Sequence, residues 1–174
     1  ETASEIINNL PLKTMTPEVT EKREGFIHAT EMIGNSSEMK IKFILRDFEI
    51  NGLDKKKDIL KDVCKKIQNL EPRAKISISF KRQYRNMRYW LDENKTPLEI
   101  AEKALTNKNI KPIKKPIRGG TDGSLLTENG VPTPNIFTGM QNVHGPLEWI
   151  SSTDMSLATE VMIEIIKLNS NLEA

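Results

Sequence analysis

Residues 39–46 read Met39-Lys40-Ile41-Lys42-Phe43-Ile44-Leu45-Arg46. Met39, Ile41, Phe43 and Leu45 alternate with Lys40, Lys42, Ile44 and Arg46, and a period of two puts one set of side chains on the core face of a strand. Upstream, Phe26 to Ile33 has the composition of a partner strand, and Gly34-Asn35-Ser36-Ser37 supplies a turn between them. Downstream, Asn51 reads as the cap of a helix reaching Leu70, with Ile59, Val63 and Ile67 every four residues and lysines over the remaining surface. Ala74, Ile76, Ile78 and Phe80 then alternate with Lys75, Ser77, Ser79 and Lys81, the clearest strand pattern in the chain. Ahead of the hairpin, Ile6, Ile7 and Leu10 form a short helical pattern that stops at Pro11, and residues 11–24 read as a polar connecting loop. The order helix, strand, strand, helix, strand is that of a ferredoxin-like α+β sandwich without its first strand and part of its first helix, both expected upstream of Glu1.

The second half has a different rhythm. Thr96-Pro97-Leu98-Glu99 combines a capping box with proline at the first helical position and opens a helix to Asn107. Ile110 to Ile117 is extended but broken by Pro112 and Pro116, as in an edge or irregular strand. A short helix over Ser124–Glu128, a short apolar strand within Pro134–Gly139 and a last helix capped by Ser152 or Thr153, burying Leu157, Val161 and Ile165, complete the pattern. Strands alternating with helices indicate an α/β class.

The totals narrow the function. No apolar run approaches the ~20 residues needed to cross a bilayer, and the net charge of +2 does not argue for nucleic acid. The single cysteine, Cys64, excludes an internal disulfide and points to a reducing, cytoplasmic setting. With two histidines and one cysteine, any complete metal site would lean on carboxylates.

Three clusters could carry chemistry. In Arg118-Gly119-Gly120-Thr121-Asp122-Gly123, glycines before a helix start permit close approach of an anion, and the guanidinium adds a bidentate clamp; a plain turn with a surface arginine is the alternative. In Gln141-Asn142-Val143-His144-Gly145-Pro146, followed by Glu148, a histidine occupies a loop where functional residues gather, although lone histidines also serve structure. Asn86-Met87-Arg88 lies at the junction of the two halves, where either a ligand cleft or a solvated linker fits.

Several blocks in order resemble one family. Pro116-Ile117-Arg118-Gly119-Gly120-Thr121-Asp122-Gly123, Gly130-Val131-Pro132-Thr133-Pro134-Asn135-Ile136-Phe137-Thr138-Gly139 and Asn142-Val143-His144-Gly145 resemble the closing segment of peptidase T, a di-zinc tripeptide aminopeptidase. Glu24-Gly25-Phe26-Ile27-His28 and Ile44-Leu45-Arg46-Asp47-Phe48 resemble stretches of its lid, and Asn86-Met87-Arg88 falls where the family has it.

The resemblance implies a cytoplasmic exopeptidase that removes the N-terminal residue of tripeptides with water activated between two zinc ions. It implies a ferredoxin-like lid over residues 1–84 and the C-terminal part of the zinc-peptidase α/β domain over residues 85–174. His144 matches a zinc ligand, Arg118 the arginine that holds the substrate's C-terminal carboxylate, and Asn86 and Arg88 the residues that help clamp the peptide. The other zinc ligands, the bridging aspartate and the general-base glutamate precede the matched region, so no catalytic residue is assigned here and the missing N-terminal part of the enzyme is the expected partner. Alone, the chain is expected neither to bind zinc tightly nor to hydrolyse peptides. His28 is read as a structural or lid-surface residue, and a homodimer through the lid is a further expectation. The rivals are another di-zinc exopeptidase or deacylase, and a non-catalytic ferredoxin-like module with a lysine-rich helix.

Overall fold

The computed structural model describes residues 1–170. Its backbone runs α1 (Thr2–Asn8), β1 (Phe26–Gly34), β2 (Met39–Arg46), α2 (Ile50–Leu70), α3 (Arg88–Leu91), α4 (Thr96–Asn107), α5 (Asp122–Glu128) and α6 (Ser152–Ser170). This is an α/β arrangement in which a small two-stranded sheet is accompanied by helices. Two compact units divide the chain: residues 1–83 with 116–119, and residues 84–115 with 120–174.

The first unit is organised by the hairpin. β1 and β2 pair antiparallel, with Phe26 opposite Arg46, Ile27 opposite Leu45 and Gly34 opposite Met39. A bulge between Ala29 and Glu31 lets Thr30 donate its hydroxyl to the Lys42 carbonyl at 3.2 Å. The turn closes through the Asn35 side chain, whose Oδ1 accepts the Ser37 and Glu38 amides at 2.8 and 3.1 Å. Ile41, Phe43 and Leu45 turn toward a core of Ile6, Leu10, Ile27, Leu60, Val63 and Ile67, as the alternation requires.

Helix α2 starts at Ile50, so Asn51 lies inside it rather than at its cap. Glu49 stands at the cap position without a side-chain cap bond, and Asp47 organises the approach to the helix. Its Oδ1 accepts the Glu49 amide at 2.9 Å, and its Oδ2 receives the Lys56 ammonium at 2.5 Å. Lys56, grouped by its residue type with the solvated lysines, is therefore buried. The buried stripe is Lys56, Leu60, Val63 and Ile67, with Ile59 only half-buried. The stripe sits slightly around the helix from the expected one, because the aliphatic stem of Lys56 packs inward while its charge is met by Asp47.

Residues 74–80 form no strand, which corrects the clearest expectation of the sequence. Their alternation records a face pattern, and Ile76 does pack on the core. A ladder needs a neighbouring strand, and the described residues provide only the β1–β2 pair. The segment is tied instead to the Gln68 side chain of α2, which accepts the Ile76 amide at 2.9 Å and donates to the Ala74 carbonyl.

The second unit is helical. Ala101 and Ala104 of α4 and Ala158 and Val161 of α6 are buried, and small side chains let these two helices approach closely. Asn107 donates to Glu164 at 2.7 Å and Lys108 pairs with Glu160 at 3.2 Å, pinning the same contact at its rim. The Thr96 capping box does not form. Asn94 accepts the Thr96 amide at 3.1 Å instead, and Pro97 keeps its place in the first turn. Ser151, rather than Ser152 or Thr153, caps α6 by accepting the Asp154 amide at 3.0 Å. Neither 110–117 nor 134–139 is a strand. The former lacks two amide donors at its prolines, and the latter has no ladder neighbour among the described residues. No helix of the described residues is long and apolar enough to cross a membrane.

Candidate functional site

Arg118 belongs to the first unit, with Pro116–Gly119. It is half-buried and heavily engaged. Nη1 donates to the Thr20 carbonyl at 2.5 Å, Nη2 to the Thr20 hydroxyl at 2.5 Å, and Nη2 also to the Glu24 carbonyl at 3.4 Å. The guanidinium lies 5.0 Å from the centre of the Phe26 ring, a cation–π distance. Its Nε is buried and has no hydrogen-bond partner among the described residues. Thr20, Glu24 and Phe26 are contacts the sequence reading did not pair with Arg118. Glu24 and Phe26 both lie within Glu24-Gly25-Phe26-Ile27-His28, whereas Thr20 carries no local signal.

The glycines after Arg118 have different reasons to be there. A Cβ on Gly119 would meet nothing within 4 Å, whereas one on Gly120 would lie 2.3 Å from Cε1 of the Tyr84 ring. Close packing, not anion approach, accounts for Gly120. The helix that follows is seven residues long and carries Asp122 in its first turn, where a fixed carboxylate opposes a second anion.

Asn86 and Arg88 share one turn in the second unit. Asn86 Oδ1 accepts the Arg88 amide at 2.9 Å, which orients the start of α3. The Arg88 guanidinium stands 5.6 Å from the Tyr89 ring centre, with Nε 3.8 Å from Asp92. The Asn86 side-chain oxygen is thus occupied by backbone.

His144 sits in a loop closed by the Gln141–Trp149 bridge, with amide-to-carbonyl distances of 2.8 and 3.2 Å. Within it, Asn142 and His144 have φ of 51° and 65°. Left-handed backbone is uncommon outside glycine and is held here by its surroundings. The His144 amide donates to Glu148 Oε2 at 2.6 Å, Gly145 donates to the Asn142 carbonyl at 2.7 Å, and Asn142 Nδ2 reaches the Leu147 carbonyl at 3.2 Å. The loop thereby presents an exposed His144, and Glu148 serves its backbone.

His28 pairs with Ile44 across the hairpin and is half-buried on β1. Cys64 is a half-buried thiol beside the first core, and burial raises its pKa. Among the described residues, no three histidine, cysteine, aspartate or glutamate side chains are grouped so as to hold a metal ion. The described residues by themselves do not fit a zinc centre, which needs at least three protein ligands in a catalytic site.

The α/β arrangement has a counterpart among solved structures. The crystal structure of aminopeptidase PepT from Bacillus cereus superposes with a TM-score of 0.65 over 95% of this chain and 43% of that one, at 14% identity, which establishes a shared fold. The sequence adds a closer likeness to named relatives. The chain is 42% identical over 166 residues to a peptidase T of Clostridium acetobutylicum, covering 95% of this chain and 40% of the relative. It is 45% identical over 152 residues to one of a Geobacillus species, covering 87% and 37%, and 40% identical over 161 residues to one of Bacillus pumilus, covering 92% and 39%. No family model matches the chain. The resemblance to peptidase T is thus shown along nearly all of this sequence, which spans about two fifths of the length of the curated relatives it matches.

Proposed function

We propose that the chain is the C-terminal portion of a zinc-dependent, cytoplasmic tripeptide aminopeptidase that hydrolyses the first peptide bond of tripeptides. The observation that carries the reading is a continuous identity of 40–45% to peptidase T proteins over 87–95% of the chain, through the blocks that hold Asn86, Arg88, Arg118 and His144. In this reading residues 1–84 belong to a lid and residues 85–174 to the catalytic domain. Arg118 binds the C-terminal carboxylate of the substrate, because a planar fork of N–H donors matches a carboxylate bidentately. Asn86 and Arg88 contribute to the peptide clamp. His144 is the residue this chain brings to the metal centre, the remaining ligands coming from other parts of the enzyme. The loop is tied down through the His144 backbone and leaves the imidazole exposed, and a partner on the second ring nitrogen would orient it as a ligand.

A fixed cation at the carboxylate end also explains a limit on substrate length, since it measures from the far terminus of the peptide. The test is a comparison of a tripeptide with its C-terminal amide, using the protein of natural length. The free acid is hydrolysed with the higher kcat/KM, and Arg118→Ala removes that preference. Equal rates on acid and amide in the unmutated protein would remove Arg118 from the proposed site.

A further inference from the structure

A guanidinium has two carboxylate-binding edges: an end fork of Nη1–H with Nη2–H, and a side edge of Nε–H with the other Nη2–H. In Arg118 these edges are used unequally. The end fork is taken by one residue, Thr20, through its carbonyl and its hydroxyl at 2.5 Å each. The side edge holds a single long bond, from Nη2 to the Glu24 carbonyl at 3.4 Å, and a buried Nε–H without a partner. Buried donors are nearly always satisfied, so an orphaned one calls for a reason. The Phe26 ring 5.0 Å away restrains the plane of the group.

The geometry points to Thr20 as the positioning residue of Arg118. By holding the end fork it fixes the guanidinium plane and leaves the side edge to receive a carboxylate, whose two oxygens would satisfy Nε and replace the long bond to Glu24. Thr20 is itself buried, at 6% exposure, and its hydroxyl also donates to the Thr16 carbonyl at 2.6 Å. It is therefore a fixed anchor and not a mobile surface group. The turn that carries Glu24 is closed by the Glu24 amide on the Glu21 carbonyl at 2.8 Å and by the Glu21 amide on Glu24 Oε2 at 2.7 Å, with Lys22 at φ 50°. Movement of that turn would uncover the side edge. This inference rests on the reading of Arg118 as a carboxylate-binding residue.

The test uses the 174-residue chain, with triglycine and acetate as probes and the Arg118 Nε–H resonance as readout. Both probes shift that resonance in the unmutated chain and in Thr20→Ser, which keeps the hydroxyl. In Thr20→Val the affinity falls about fivefold, the effect of losing one hydrogen bond. Thr20→Ala replaces the valine variant if that variant lacks the native circular dichroism spectrum. Equal affinities in all forms would overturn the role of Thr20 while leaving Arg118 as the carboxylate residue. No shift of the Nε–H resonance in any form would overturn both.

Discussion

The Lys56 ammonium lies 2.5 Å from the Asp47 carboxylate, with side chains only 7% and 13% exposed. Two glycines make room for the pair. A Cβ on Gly25 would fall 2.4 Å from Asp47 Oδ2 and 2.6 Å from Lys56 Nζ, and one on Gly52 would fall 2.1 Å from Asp47 Oδ2. The pair joins the end of β2 to the first turns of α2, next to the strand that carries Phe26. Removing one partner leaves a buried charge uncompensated. Asp47→Asn is expected to cost about 3–5 kcal/mol, whereas Asp47→Leu with Lys56→Met is close to neutral. Denaturant unfolding of the three proteins measures the difference, and equal losses in the single and double variants would contradict it.

The His144 loop makes a second prediction. With φ at 65°, a residue carrying a Cβ pays roughly 1–2 kcal/mol in the left-handed region. His144→Gly is therefore expected to be about 1 kcal/mol more stable than His144→Ala, by thermal unfolding of the 174-residue chain. Neither variant should retain hydrolytic function in the protein of natural length, because neither side chain can ligate a metal. Lower stability of the glycine variant would mean that the loop is not held in this conformation.

Much of the first unit was legible in its residues, and the limits are instructive. The hairpin was readable because Ile41, Phe43 and Leu45 repeat with period two and Gly34-Asn35 offers a turn, two signals that agree. Residues 74–80 have the same periodicity, yet periodicity specifies a face and not a partner. The start of α2 was misplaced because Asn51 has a capping residue type, whereas the helix begins at Ile50 behind Glu49, and Asp47 just ahead of it is engaged with Lys56 nine positions along the chain. Thr20 could not be linked to Arg118 at all, since 98 residues separate them and neither has a periodic neighbour. The His144 loop and Asn86-Met87-Arg88 stood out as polar clusters, and the family resemblance gave them roles. Their geometry was not readable, because which atoms Glu148 and Asn86 bind depends on loop closure.

The end of α2 makes a pH prediction. Glu71 accepts Nε and Nη2 of Arg73 at 2.8 and 2.7 Å. Those hydrogen bonds, with the Arg73 amide and its charge, hold the Glu71 carboxyl down to about 2. A carboxyl with a lowered folded-state pKa contributes stability above its unfolded value, and the contribution is lost as pH falls toward about 2. Carbon NMR titration should place its midpoint near that value at low ionic strength. Molar salt should move the midpoint back toward the ordinary carboxylate range, because the pair is at the surface and is screened. An ordinary midpoint at low salt would show that the pair does not form in solution.

The most direct measurement is hydrolysis by the natural-length, zinc-loaded protein across di-, tri- and tetrapeptides of the same residues, with products separated by chromatography. The account predicts that tripeptides are cleaved fastest, releasing the N-terminal amino acid and a dipeptide, and that N-acetylated tripeptides are left intact. Equal turnover of all three lengths, release from the C-terminus, or no peptide hydrolysis would contradict it.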